Sequence, residues 1–285
     1  MEIIVGKTAG FCYGVERAVE GAKEELKKTN EPIFCLGEIV HNRQVIEHLK
    51  QLGVSCVETL EEAKGKILIR AHGIPKEVYD MAKQKGIQIQ DFTCPNVIKV
   101  HKIAEKFAKE GYFIFLLGSK NHPENIGTLS YCGKDFYIFE KQEELPEALE
   151  AFAKTNKKKL LLISQTTYSL VKFHQMEEAI KNKINETIEF VVKNTICQTT
   201  EVRQKETDKL SKQVDGMIII GGKKSSNTKK LYEIAKKNCD KTFLIETVDE
   251  LEIPEGIQKI GVMAGASTPK ESIEEVLKEI KRRCC

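Results

Sequence analysis

The feature that most constrains this 285-residue chain is a pattern that keeps returning. A short, β-rich apolar run leads into a loop of Gly, Ser, His or Asn, and then into an amphipathic helical stretch. It occurs at "PIFCLGEIVHNRQVIEHL" (Pro32–Leu49), "KILIRAHGIPKEVYDMA" (Lys66–Ala82), "YFIFLLGSKNHPENIGTL" (Tyr112–Leu129) and "KLLLISQTTYSLVKF" (Lys159–Phe173). The last third repeats it at "GMIIIGGKKSSNTKKLYEIA" (Gly216–Ala235) and "KIGVMAGASTPKESIEEV" (Lys259–Val276). Strands that alternate with helices predict parallel sheets in an α/β protein. The strand runs are continuously apolar rather than alternating, as expected of sheets covered on both faces.

A longer period overlies this one. Cys12, Cys94 and Cys197 each stand just before a helical pattern, and about 24 residues further on each is followed by a strand–loop unit, at Gly37, Gly118 and Gly221. A second unit follows in each case, near Arg70, Ser164 and Ala264. A fixed period of this kind is read before any other assignment. It predicts three similar α/β modules of roughly 90 residues, an ordinary domain size. The boundaries fall at residues 13–94, at 95–193, and at 1–12 with 194–285. The segments that lead into the later cysteines, "IQIQDFTC" and "IEFVVKNTIC", match the opening one, so Met1–Phe11 is expected to pair with the last module and close a ring of three.

Composition narrows the function. Lys plus Arg number 45 against 42 Asp plus Glu, a net charge of +3, with no basic stripe of the kind nucleic-acid binding requires. The densest basic run, "KTNKKKL" (Lys154–Leu160), reads as a solvated loop. The start "MEIIVGKTAG" lacks the form of a signal peptide, and no apolar run approaches a membrane span, so a cytoplasmic location is expected. Nine cysteines in that setting argue for metal, redox chemistry or packing rather than disulfides. Cys35, Cys56, Cys132 and Cys239 fit the packing role, and Cys284 with Cys285 fits an exposed, oxidisable tail.

In parallel α/β sheets ligands bind beyond the carboxyl ends of the strands. A ring of three modules turns those ends inward, bringing the three thiols together with His41, His72, His122, Asn125, Thr166, Ser225, Asn227 and Ser267 around them. Three thiolates at helix N-termini suit an iron–sulfur cluster with one iron left open, or a zinc site completed by one of the histidines. The donors suit a phosphate or diphosphate. Glu124, in "NHPENIG", is the one carboxyl group among these donors and the candidate proton donor. Taken singly, "RAHGIP" reads as a loop, and "NHPEN" and "KKSSNTKK" read as helix caps. No phosphate-binding P-loop or dinucleotide fingerprint is present.

Eight stretches in order, "GFCYGVERA", "GEIVHN", "RAHG", "DFTCPNV", "GSKNHPE", "SQTT", "GGKKSSNT" and "AGAST", together resemble the family of 4-hydroxy-3-methylbut-2-enyl diphosphate reductases, the last enzymes of the non-mevalonate isoprenoid pathway. The resemblance implies a pseudo-threefold trefoil around a [4Fe–4S] cluster held by Cys12, Cys94 and Cys197. The fourth iron has no cysteine and is readily lost to leave [3Fe–4S]. It implies that His41, His72, His122, Ser225, Ser226, Asn227 and Ser267 hold the diphosphate, that Thr166 contacts the hydroxyl end of the substrate, and that Glu124 supplies protons. The implied reaction is reductive dehydroxylation of the allylic diphosphate, with ferredoxin or flavodoxin as electron donor and no nucleic acid or membrane as partner. Tyr13 stands where a small residue is expected, and the terminal "RRCC" lies outside the family pattern. The rival readings are an iron–sulfur dehydratase of the quinolinate synthase type, a non-enzymatic iron–sulfur sensor, and a zinc-bound RNA-interaction protein.

Overall fold

The apolar runs become strands because β-branched and aromatic side chains pack well on a pleated surface, and because little in them needs water. The computed structural model describes residues 1–253 and 255–284. Its strands are β1 (Glu2–Val5), β2 (Ile33–Leu36), β3 (Val54–Val57), β4 (Lys66–Ile69), β5 (Ile89–Asp91), β6 (Phe113–Leu117), β7 (Phe136–Phe139), β8 (Lys159–Ser164), β9 (Glu189–Val192), β10 (Gly216–Ile220), β11 (Thr242–Ile245) and β12 (Lys259–Ala264). They pair only in parallel among the described residues, in three four-stranded sheets. Cys285 lies outside the described residues, as does the side chain of Cys284, which closes the final helix, Lys270–Cys284. None of the described helices is long and apolar enough to cross a membrane.

The chain divides into two compact units. The first gathers Met1–Glu24, Val40–Leu52 and the chain from Gln198 onward, and the second holds Glu25–Ile39 and Gly53–Cys197. The first unit contains one sheet, in the order β1-β12-β10-β11. The opening strand therefore lies beside the last one, with Ile3 against Ile260 and Val5 against Val262. The second unit contains two sheets, β5-β4-β2-β3 and β9-β8-β6-β7. All three sheets share one order. A strand that runs into a cysteine lies on one edge, the two strands named by the sequence pattern fill the centre, and a further strand closes the other edge.

That further strand (β3, β7 or β11) is not among the strand–loop–helix units of the sequence pattern. "VSCV", "FYIF" and "TFLI" are four residues each, and no ligand-type loop marks their ends. The central strands carry the core. β6 and β10 are buried along their whole length, and Phe115 meets Phe113 and Phe139 edge to face with ring centres 5.7 and 5.4 Å apart. Such ring pairs add roughly 0.5–1.5 kcal/mol beyond the apolar area they bury.

In the first unit a polar clamp holds the segment between β1 and Cys12. The Glu206 carboxylate accepts from the backbone N–H groups of Lys7 (2.7 Å) and Thr8 (2.9 Å) and from the Thr8 hydroxyl. Arg203, only 2% exposed, donates from Nε to the Thr8 carbonyl at 2.8 Å and from Nη2 to the Gly10 carbonyl at 2.7 Å. Gly10 takes the left-handed φ of +103°, and a Cβ there would lie 3.3 Å from Ile273 Cδ1. Bonds from a charged donor each contribute roughly 1.5–3 kcal/mol, and the carbonyls they leave behind would be buried without partners. Arg203→Leu should lower the unfolding free energy by about 2–4 kcal/mol, measured by urea denaturation, and Arg203→Lys by less. An unchanged midpoint in the leucine variant would show that the clamp does not hold the segment.

Candidate active site

Each of the three repeat cysteines is placed by the same local geometry. The backbone N–H of Cys12 donates to the Ala266 carbonyl at 3.1 Å, that of Cys94 to Ala71 at 3.0 Å, and that of Cys197 to Thr166 at 2.9 Å. In each case the acceptor is the second residue beyond a central strand: β12, β4 and β8. Each cysteine also stands immediately before a long helix, Tyr13–Lys28, Pro95–Lys109 or Gln198–Ser211. All three are half-buried and outside any disulfide. Each offers a thiol of the kind that ligates iron in iron–sulfur clusters. Asn96 Nδ2 also donates to Cys197 Sγ at 3.1 Å. The sequence reading does not pick out Asn96, because an asparagine early in a helix looks like a capping residue. Tyr13 is 69% exposed at the start of its helix.

In the second unit the "NHPEN" and "SQTT" loops close on each other. Pro123 opens the helix Pro123–Leu129, and His122 caps it, with Nδ1 accepting from the Glu124 N–H at 3.2 Å. In a neutral His122 the proton then sits on Nε2, which is left as a donor. Glu124 is 2% exposed and accepts twice from one residue: from Thr166 N at 2.6 Å and from Thr166 Oγ1 at 2.7 Å. Burial raises its pKa to about 7, and the two Thr166 bonds work in the opposite direction. The Thr166 carbonyl is also the group that accepts from Cys197 N–H. One residue therefore joins the acid to a candidate ligand.

The neighbouring contacts hold this arrangement. Asn125 Nδ2 donates to the Ser119 carbonyl at 2.8 Å and to Gln165 Oε1 at 2.9 Å. A Cβ at Gly118 would lie 2.5 Å from Asn125 Nδ2, so a larger residue there would have to displace that amide. The His72 and His122 rings stand perpendicular, with centres 5.4 Å apart. His72, His122, Glu124 and Thr166 thus all lie in the second unit.

In the first unit, Ser225 caps the helix Ser226–Asn238, its hydroxyl accepting from Thr228 N at 3.4 Å. Ser267 Oγ donates to the His41 carbonyl at 3.1 Å. A Cβ at Gly222 would lie 2.6 Å from that same carbonyl. "VHN", "GGKKSSNT" and "AGAST" therefore meet around the His41 carbonyl. Asn227 is 3% exposed, yet neither its Nδ2 nor its Oδ1 has a partner among the described residues. A buried amide left unbonded costs roughly 1–3 kcal/mol, which an anion or hydroxyl placed against it would recover. Ser226, half-buried in the first turn of the same helix, offers a hydroxyl close by.

A family model described as LytB protein matches residues 3–281. A 4-hydroxy-3-methylbut-2-enyl diphosphate reductase of Caldanaerobacter subterraneus subsp. tengcongensis is 45% identical, over 99% of this chain and 97% of that protein. A protein of the same name from Aquifex aeolicus is 41% identical, over 100% of this chain and 97% of its own length. The solved structure of the E-1-hydroxy-2-methyl-but-2-enyl-4-diphosphate reductase from Plasmodium falciparum superposes with a TM-score of 0.89 at 33% identity, covering 98% of this chain and 88% of that one. With family and relatives alike matched along nearly its whole length, the chain belongs to the LytB protein family.

Proposed function

We propose that this protein is an oxidoreductase that converts (E)-4-hydroxy-3-methylbut-2-enyl diphosphate into isopentenyl and dimethylallyl diphosphate. Two electrons and two protons enter and one water leaves. The observation that carries the reading is the matched placement of Cys12, Cys94 and Cys197, with Glu124 tied through Thr166 to the last of them. Those cysteines would hold a [4Fe–4S] cluster. When bound, the cluster supplies an open Lewis-acidic iron for the allylic hydroxyl and delivers the electrons, which ferredoxin or flavodoxin would provide in the cytoplasm.

The protein's own residues do the rest. His41, His72, His122, Ser225, Ser226, Asn227 and Ser267 bind the diphosphate. Hydrogen-bond donors of this kind, several of them beside helix N-termini, hold an anion. This remote anchor restricts where the allyl group can lie, and proximity of that kind contributes several kcal/mol to the rate. Thr166 Oγ1 orients the hydroxyl end. Glu124 keeps a proton near neutral pH because burial opposes its ionisation, and that makes it the acid for the departing oxygen and for the carbon that is protonated. The test is anaerobic turnover with a reduced viologen as donor: oxidation of the dye that requires the allylic diphosphate supports the reading, and no such oxidation by iron-loaded protein rejects it.

Two outcomes follow from Glu124. Glu124→Gln should reduce kcat by roughly 10²–10⁴-fold while leaving the Kd for substrate within about threefold of the parent. Near-normal turnover would remove the acid from its role. In the free enzyme Glu124 is protonated below its pKa of about 7 and loses that proton as pH rises. The limb of kcat/KM that reports it should therefore fall as pH increases through about 7, with reductant held saturating. Thr166→Val removes a bond that lowers this pKa, so the same limb should move to higher pH. A move to lower pH would contradict the assignment.

A further inference from the structure

The sheet β5-β4-β2-β3 carries a thiol pair separate from the three repeat cysteines. Cys35 of β2 and Cys56 of β3 are direct register partners in parallel strands, so both side chains leave the sheet on one face. Adjacent strands lie ~4.8 Å apart, within the roughly 4.4–6.8 Å between Cα atoms that a disulfide spans. Neither is joined in a disulfide. Cys35 is fully buried and Cys56 half-buried, so a reagent from solvent meets Cys56 first.

A cation completes the cluster. Gly37 lies two residues beyond Cys35 with φ at +72°, and a Cβ on it would lie 2.1 Å from Arg70 Nη1. The guanidinium therefore rests over the end of β2. Arg70 Nε has no hydrogen-bond partner among the described residues, and Cys35 lies near enough to act on it electrostatically. Burial holds the Cys35 thiol protonated at rest, and Arg70 opposes that effect. Arg70 is the neighbour that favours a Cys35 thiolate, against burial and the Cys56 thiol.

The geometry points to a reversible modification site, in which Cys56 and Cys35 close to a disulfide by exchange with a low-molecular-weight disulfide. The Cys56 thiolate attacks one sulfur of the reagent, its S–S bond breaks, and one small thiol leaves. Cys35 then attacks the Cys56 sulfur, and the second small thiol departs with the remaining proton. The protein loses two hydrogens and the reagent gains them. A bond between neighbouring strands sits near the short end of the allowed span, so a reducing dithiol should reopen it easily.

The experiment uses the full-length protein, purified anaerobically, treated with oxidised glutathione, then alkylated under denaturing conditions and mapped by peptide mass spectrometry. The expected result is a linked Cys35–Cys56 peptide, with alkylation lost at both positions together and restored by dithiothreitol. C56S should leave Cys35 fully alkylated. Arg70 favours the Cys35 thiolate that makes the second attack, so R70L should slow linkage several-fold and R70K should restore most of it. Glutathione retained on Cys56 while Cys35 stays alkylatable, or no reaction at either thiol, would overturn the pair. Linkage in R70L as fast as in the parent would overturn the role given to Arg70.

Discussion

The arrangement of this protein depends on a single kind of backbone bond, made three times. A cysteine N–H donates to the carbonyl of the second residue past a central strand. The edge strand brings the chain to that point, the bond fixes it, and a long helix leaves from it. Because the bond uses only backbone atoms, the residues around it are free to differ. Ala71, Thr166 and Ala266 accept in the three places, and each lies inside a stretch that carries other functional groups: "RAHG", "SQTT" and "AGAST". Placing a thiol and placing the loop beside it are therefore one structural event.

The same economy sets the acid–base chemistry. Thr166 uses its N–H and hydroxyl on Glu124 and its carbonyl on Cys197. Burial alone would push the glutamate further from ionisation. The two short bonds draw it back, and the balance lies near neutrality. A carboxyl group in that balance can hold a proton and release it without a large penalty in either direction. The buried Asn227 amide, without a partner among the described residues, is a different kind of preparation, a polar group that an anion or hydroxyl would satisfy.

Much of this was legible in the sequence, for physical reasons. Continuous apolar runs can only be doubly covered strands, and a cysteine repeated at one point of a fixed period can hardly be packing three times over. The fold class, the strand ends and the helix starts at Tyr13, Pro95 and Gln198 follow from those two facts. The edge strands β3, β7 and β11 were not legible, since four residues without a marked loop carry no period. Arg203 looked like one charged residue in a polar helix, and only the tertiary structure shows it buried against Thr8 and Gly10. Asn96 and Gln165 were hidden for a similar reason: their partners are 101 and 40 residues away along the chain. Tyr13, the one departure from the family pattern beside a candidate ligand, proves to face solvent.

The central claim is that Cys12, Cys94 and Cys197 act as one ligand set while the other cysteines do not. The most direct measurement is iron and sulfide content, with visible absorbance, after anaerobic reconstitution of the parent protein and of the single serine variants at positions 12, 94, 197 and 35. The parent and Cys35→Ser should each hold about four irons per chain with the broad absorbance of thiolate-bound iron. Each of the other three variants should lose most of both. About one zinc per chain and no visible absorbance in the parent, or full iron content in any of those three variants, would contradict the account.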